Sequence, residues 1–153
     1  MSNQGLEIRI PRQEQEPALV EFFSTLTAAG EDAHFHPHAL TPEAAHERCT
    51  YIGKDLYYVI LEKQKVLGYG MLRGWDNGHQ VPSLGIALRA SERGSGLAAM
   101  FVHFLHTAAR RHGANRVILN VYRSNVAAIR LYKKLGYTLT DNGDTQLRGT
   151  ITL

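Results

Sequence analysis

Cysteine is nearly missing from this chain. Cys49 is the only one in 153 residues, so no disulfide can form within it. That usage fits a reducing compartment, and a cytoplasmic location is the expectation. A lone cysteine is usually a small core residue, and Cys49 is read as one rather than as a nucleophile. Long apolar runs are missing too. None approaches the ~20 residues that cross a bilayer, and Met1 to Arg12 lack the apolar stretch of a secretory signal. No membrane partner is expected. A strong charge of one sign is also lacking: 17 Lys and Arg stand against 14 Asp and Glu, a net +3, spread along the chain. A nucleic-acid surface calls for a denser basic stripe with interleaved aromatics, so no nucleic-acid partner is expected. Arg110 and Arg111 suit the dipole at the end of a helix. Repeats, low-complexity tracts and linkers are absent. What remains is 44% apolar and 20% charged, a globular composition whose length suits one domain over residues 1–153.

The apolar pattern gives an order of elements. Leu6, Ile8 and Ile10 alternate on one face of a first strand that Pro11 ends. Leu19, Phe22, Phe23 and Leu26 recur at helical spacing within residues 14–28. An irregular loop follows to Leu40, and Thr41-Pro42 caps and starts a short second helix to Cys49. Leu56 to Glu62 and Val66 to Trp75 read as a hairpin joined by Lys63-Gln64-Lys65. Asp76-Asn77-Gly78 turns the chain into a fourth strand, Val81 to Leu88. Leu97 to His112 is the clearest helix, with Gly113 at its end. Val117 to Tyr122 is apolar enough to be a strand buried on both faces. Ser124 or Asn125 caps a last helix that ends at Gly136. Tyr137 to Thr140 and Gln146 to Leu153 complete the sheet. Residues 81–122 form a βαβ unit, so strands four and five should run parallel. The fold class is therefore α/β (α+β): a mixed, mostly antiparallel sheet with helices on both faces.

The chemistry is concentrated after strand four. In Arg93-Gly94-Ser95-Gly96-Leu97-Ala98, the glycines permit a tight turn and close approach of a ligand to backbone N–H groups. The helix that begins there has N–H groups with no partner inside it, which suits a phosphate. Arg93 adds a positive charge beside them. The glycine spacing matches neither a P-loop nor a dinucleotide fingerprint, and a bare helix-start turn would look similar. The second segment is Asn125 to Tyr137. Asn125 and Tyr132 are two turns apart and share a face. Ala128 leaves room beside them, and the Tyr132 phenol is a reasonable proton donor. An inward-packing aromatic and a simple cap are the alternative reading.

Together the two segments resemble the GNAT superfamily of N-acetyltransferases. Arg93, Gly96 and Ala98 match its (Gln/Arg)-x-x-Gly-x-(Gly/Ala) signature. Asn125, Ala128, Leu131, Tyr132, Gly136 and Tyr137 match its second signature. The resemblance covers about residues 56–140. It implies a GNAT-like fold in which strands four and five splay, and acetyl-CoA as acyl donor with no metal. It implies that the pyrophosphate sits on the amides of Arg93, Gly94, Ser95, Gly96, Leu97 and Ala98, and that the pantetheine arm bonds the backbone of Ile86, Ala87 and Leu88. Asn125 and Ala128 would border the cofactor, and Tyr132 would protonate the leaving sulfur. The acceptor expected is a primary amine of a small molecule. A protein amino group is the alternative acceptor, and a non-catalytic acyl-CoA sensor is the alternative class. A homodimer is expected from family habit. Lys133 and Lys134 read as solvated charges, with the cofactor's 3′-phosphate as the other possibility.

The base is the weak point, because strand four offers no titratable side chain at residues 85–88. Asp76, His79, His34 and His36 are candidates, and proton loss to solvent is an equal contender. His34, His36 and His38 alternate, but no Cys or carboxylate cluster completes a metal site. His34 and His36 are instead read as lining the acceptor pocket. Trp75 is a substrate-binding candidate, although packing at the sheet edge suits it better. His103 and His106 are placed on the exposed flank of their helix.

Overall fold

Apolar periodicity sorts the chain into two cores separated by one sheet. The protein is described here from a computed structural model, over residues 5–153. Its strands are β1 (Glu7–Arg9), β2 (Leu56–Glu62), β3 (Lys65–Arg73), β4 (Ser83–Leu88), β5 (Arg116–Tyr122), β6 (Thr138–Asp141) and β7 (Gln146–Thr152). Its helices are α1 (Glu16–Ala28), α2 (Pro42–Cys49), α3 (Leu97–Arg111) and α4 (Val126–Lys134). The strands form one seven-stranded sheet in the order β1-β2-β3-β4-β5-β7-β6. Only β4 and β5 pair in parallel, as the βαβ reading requires.

One face of the sheet carries α1 and α2. Leu19, Phe22, Phe23 and Leu26 of α1 pack with Ala45 and Cys49 of α2 on Val59, Tyr69, Met71 and Ala87. The Thr41 hydroxyl accepts from the Ala44 N–H at 3.1 Å, the expected cap. Burial raises the Cys49 thiol to about 11, which keeps it protonated and unreactive. The other face carries α3 and α4, with Phe101, Leu105, Leu119, Val121, Tyr132 and Tyr137 in its core. Side-chain burial of this kind, at roughly 25 cal/mol per Å² of apolar surface, is the main source of stability.

Several expectations change. Leu6 and Ile10 are exposed, and only Ile8 of that face packs on the core. β3 ends at Arg73, because Gly74, at φ 130°, turns the chain into a 3₁₀ segment over Trp75–Asn77. The hairpin turn is two residues, Lys63 and Gln64, both with positive φ. β5 is buried on one face only: Val117, Leu119 and Val121 are buried, while Asn120 is exposed. His106 is buried, not exposed, with its Nε2 2.7 Å from the Tyr137 hydroxyl.

Candidate active site

The site begins with a missing ladder. β4 pairs with β3 from Ser83 to Leu88, but with β5 only at Ser83–Ile118. There the Ile118 N–H donates to the Pro82 carbonyl at 3.0 Å. At the other end the Arg89 N–H donates to Leu67 of β3 at 2.8 Å. Alternation along the strand then turns the N–H groups of Ala87 and Gly85 to β3, and those of Ile86 and Leu88 into the widening gap. These are backbone donors that the fold leaves for a ligand.

A cleft of about 520 Å³ fills that gap. Ile86, Ala87 and Leu88 form one wall; Arg93, Gly94, Gly96 and Ala98 form its floor; Asn125, Ala128, Leu131 and Tyr132 face them from α4. Gly94 and Gly96 have φ of 76° and 86°, and a Cβ at either would project into open space. Gly96 is the N-cap of α3, so the first N–H groups of a four-turn helix open into the cleft. A phosphate-bearing, elongated ligand fits such a cradle of bare amides. Lys134 also lines it, whereas Lys133 does not.

The side chains of four candidate residues are engaged elsewhere. The Ser95 hydroxyl turns back to the Glu92 carbonyl at 2.6 Å and accepts from the Leu97 N–H at 3.3 Å. Leu97 is buried in the core beneath the helix. Trp75 lies outside the cleft, its ring 4.3 Å from that of His112, because the 3₁₀ turn carries it to the far end of α3. Arg93 lines the cleft, but its guanidinium is hydrogen-bonded to the Glu31 carboxylate. The charge expected to meet a phosphate is therefore already partnered.

Tyr132 is 6% exposed, and among the described residues its hydroxyl has no hydrogen-bond partner. Burial pushes its phenol above the ordinary value of 10, so it enters any reaction protonated. Asn125 is both cap and wall: its Oδ1 accepts from the Ala128 N–H at 3.3 Å.

A second cavity, of about 760 Å³, adjoins the first. The two share His34, Phe35, Leu84, Gly85 and Asn120, so they meet beside the last β4–β5 pair. The His-rich loop roofs this junction. His34 Nε2 is 2.9 Å from the Ser124 hydroxyl, and His36 Nε2 is 2.7 Å from that of Tyr122. His38 departs from its neighbours. Its Nδ1–H donates to the Ala39 carbonyl at 2.7 Å, and its Nε2 accepts from Tyr69 at 2.8 Å. Burial lowers its pKa, and it serves as a strut. The sequence candidate Asp76 is unavailable as a base. Its carboxylate accepts from the Tyr51 hydroxyl and, at 2.8 Å, from the Lys54 N–H, and the Tyr51 bond lowers its pKa. His79 lines the second cavity.

Known proteins resemble this chain in sequence or in structure. An uncharacterised N-acetyltransferase of Bacillus subtilis, YdgE, is 43% identical over 49 residues, which is 32% of this chain and 31% of that protein. A ribosomal L7/L12 alpha-N-protein acetyltransferase solved with coenzyme A, RimL, superposes with a TM-score of 0.80 at 17% identity, over 99% of this chain and 96% of its own. An acetyltransferase of Salmonella typhimurium solved with acetyl-CoA, yncA, gives 0.74 at 19% identity, over 97% and 94%. The profile of the acetyltransferase (GNAT) family matches residues 20–137. Splayed strands, a glycine-lined helix start and a family match across most of the sequence agree: this chain belongs to the GNAT acetyltransferase family.

Proposed function

We propose that this protein is an N-acetyltransferase that moves an acetyl group from acetyl-CoA to a primary amine of a small molecule. The observation that carries the reading is the meeting of two cavities where β4 and β5 part. One has a main-chain phosphate cradle; the other has room for an acceptor. Acetyl-CoA supplies an activated acyl carbon and a thiolate leaving group. The protein's residues do the rest. The Gly94–Ala98 segment holds the pyrophosphate. The Ile86 and Leu88 N–H groups hold the arm and polarise the carbonyl oxygen. As the new N–C bond forms and the C–S bond breaks, the amine must lose a proton and the sulfur must gain one. His34, among the described residues the only titratable side chain shared by both cavities, is assigned to the first task, oriented by Ser124.

Tyr132 is assigned to the second task. Its raised pKa favours strong hydrogen-bond donation to the sulfur over early proton loss. Asn125, whose Oδ1 is engaged as a cap, keeps its amide NH₂ for the ligand.

Release of free CoA thiol across an amine panel tests the activity. Acceptor-dependent turnover is expected; tight acetyl-CoA binding without turnover would make the protein a sensor instead. A ribosomal protein is the acceptor of one structural relative, so peptides with free N-termini belong in the panel, and turnover with them alone would change the acceptor class. His34→Gln should lower kcat/KM roughly 10²-fold at neutral pH, with activity recovering as the amine deprotonates itself at higher pH. A variant with the parent's rate at neutral pH would remove His34 from the role.

A further inference from the structure

The second cavity has a charge pattern that the reaction alone does not explain. Among the described residues two arginines line it, Arg73 and Arg148, and no Asp or Glu does. Three histidines, His34, His36 and His79, and the Tyr122 phenol complete its ionisable lining. An amine acceptor is itself a cation when it arrives, so a pocket built only for an amine should not be ringed with guanidinium groups.

Sheet register puts both arginines on one face. Arg73 lies opposite Ser83, Ser83 beside Ile118, and Asn120, two residues on from Ile118, opposite Arg148. Opposed residues and residues two apart share a face, so all five point the same way. That face is the α1–α2 side, and its apolar cluster includes no residue of β5 or β7. The two arginines stand three strand spacings apart and two residues out of line, at least roughly 16 Å between Cα atoms, on opposite walls of the cavity. Long flexible side chains can converge across that span.

Their engagements differ. One NH of Arg73 donates to the Pro37 carbonyl at 2.8 Å, which ties the His-rich loop down. The rest of its fork has no carboxylate partner among the described residues. Arg148 is exposed and has no hydrogen bond or ion pair among them. Three other arginines are matched: Arg89 with Glu21, Arg93 with Glu31, Arg123 with Asp141. Two unneutralised guanidinium groups facing one cavity suit a bidentate anion.

The geometry points to an acceptor that carries an anionic group, a carboxylate or phosphate, held by Arg148 and Arg73 while its amine reaches the junction at His34 and Gly85. This rests on the acetyltransferase reading above and narrows it to small amino acids, amino phosphonates and similar zwitterions.

The test compares matched pairs in the CoA-release assay: glycine and β-alanine against glycinamide and β-alaninamide, and 2-aminoethylphosphonate against ethanolamine. A peptide with an acidic second residue forms a further arm. The anionic small molecules should exceed their neutral partners by roughly tenfold or more in kcat/KM. Arg148→Gln should collapse that ratio towards one, through acceptor KM rather than acetyl-CoA KM, and Arg148→Lys should restore part of it. Equal rates for neutral and anionic partners would overturn the proposal, as would a ratio untouched in Arg148→Gln. Turnover with the peptide but not with the small molecules would overturn it too. No turnover with any probe, while acetyl-CoA still binds, also counts against it. Failure to bind acetyl-CoA at all would strike the acetyltransferase reading instead.

Discussion

β4 has two unlike edges. Towards β3 it is paired at six successive residues; towards β5 it is paired at one. The first edge is ordinary sheet, with its backbone groups consumed by the fold. The second keeps its donors, and the cleft forms where they stand unpaired. The same contrast recurs in two neighbouring tyrosines whose rings lie 5.4 Å apart. Tyr137 spends its hydroxyl on His106, and that of Tyr132 has no partner among the described residues. In this fold, the cleft lies where polar groups have been left without partners among the described residues.

The contrast can be broken most severely at Gly96. A β-branched side chain there would fill the open cradle, so Gly96→Val should weaken acetyl-CoA binding more than roughly 100-fold by calorimetry. Gly113 is the control for backbone strain. It also has positive φ, at 93°, with nothing near its Cβ position, but it lies at the far end of α3. Gly113→Val should cost similar stability and leave cofactor affinity alone. Equal losses of affinity in both variants would reduce the Gly96 effect to strain.

The tyrosine pair sharpens the point. Tyr132→Phe should lower kcat roughly 10²-fold with little change in acetyl-CoA affinity or melting temperature, because no protein partner is orphaned. Tyr137→Phe should cost stability, since it strips a buried histidine of its hydrogen bond. Full activity in Tyr132→Phe would end its assignment as the acid.

The smallest effect lies in pH. Burial, and then the charges of His103 and Arg110, hold His106 down to about 4, below its ordinary 6.5. The unfolded chain therefore takes up this proton first. The stability that the neutral ring contributes is whole above pH 6.5 and is lost as the pH falls towards 4. Melting temperature should decline across that window, and less steeply in His106→Leu. Parallel slopes would assign the decline to other groups.

Much of this was legible in the sequence, for a physical reason. The glycine turn, the caps and the periodic helices are local signals. Thr41, Asn125 and the α1 stripe sit where their spacing puts them. The long-range parts were not legible. Nothing near Arg93 announces that Glu31, 62 residues away, will claim it. Asn120 and Arg148 become neighbours only through the β5–β7 register, and Arg73 joins them across two more strands. The burial of His106 is not legible locally, because its partner Tyr137 is 31 residues on. Asn120 did leave a trace: a polar residue inside an apolar strand, alternating with buried Val117, Leu119 and Val121, marks an uncovered face.

Amide hydrogen exchange, resolved residue by residue with and without acetyl-CoA, bears most directly on whether unpaired main chain makes this site. Exchange should slow at Ile86 and Leu88 and at Gly94, Gly96 and Ala98, while Ala87, already turned to β3, stays as it was. Equal protection of Ala87 and its two neighbours, or none at these positions despite bound acetyl-CoA, would contradict the account.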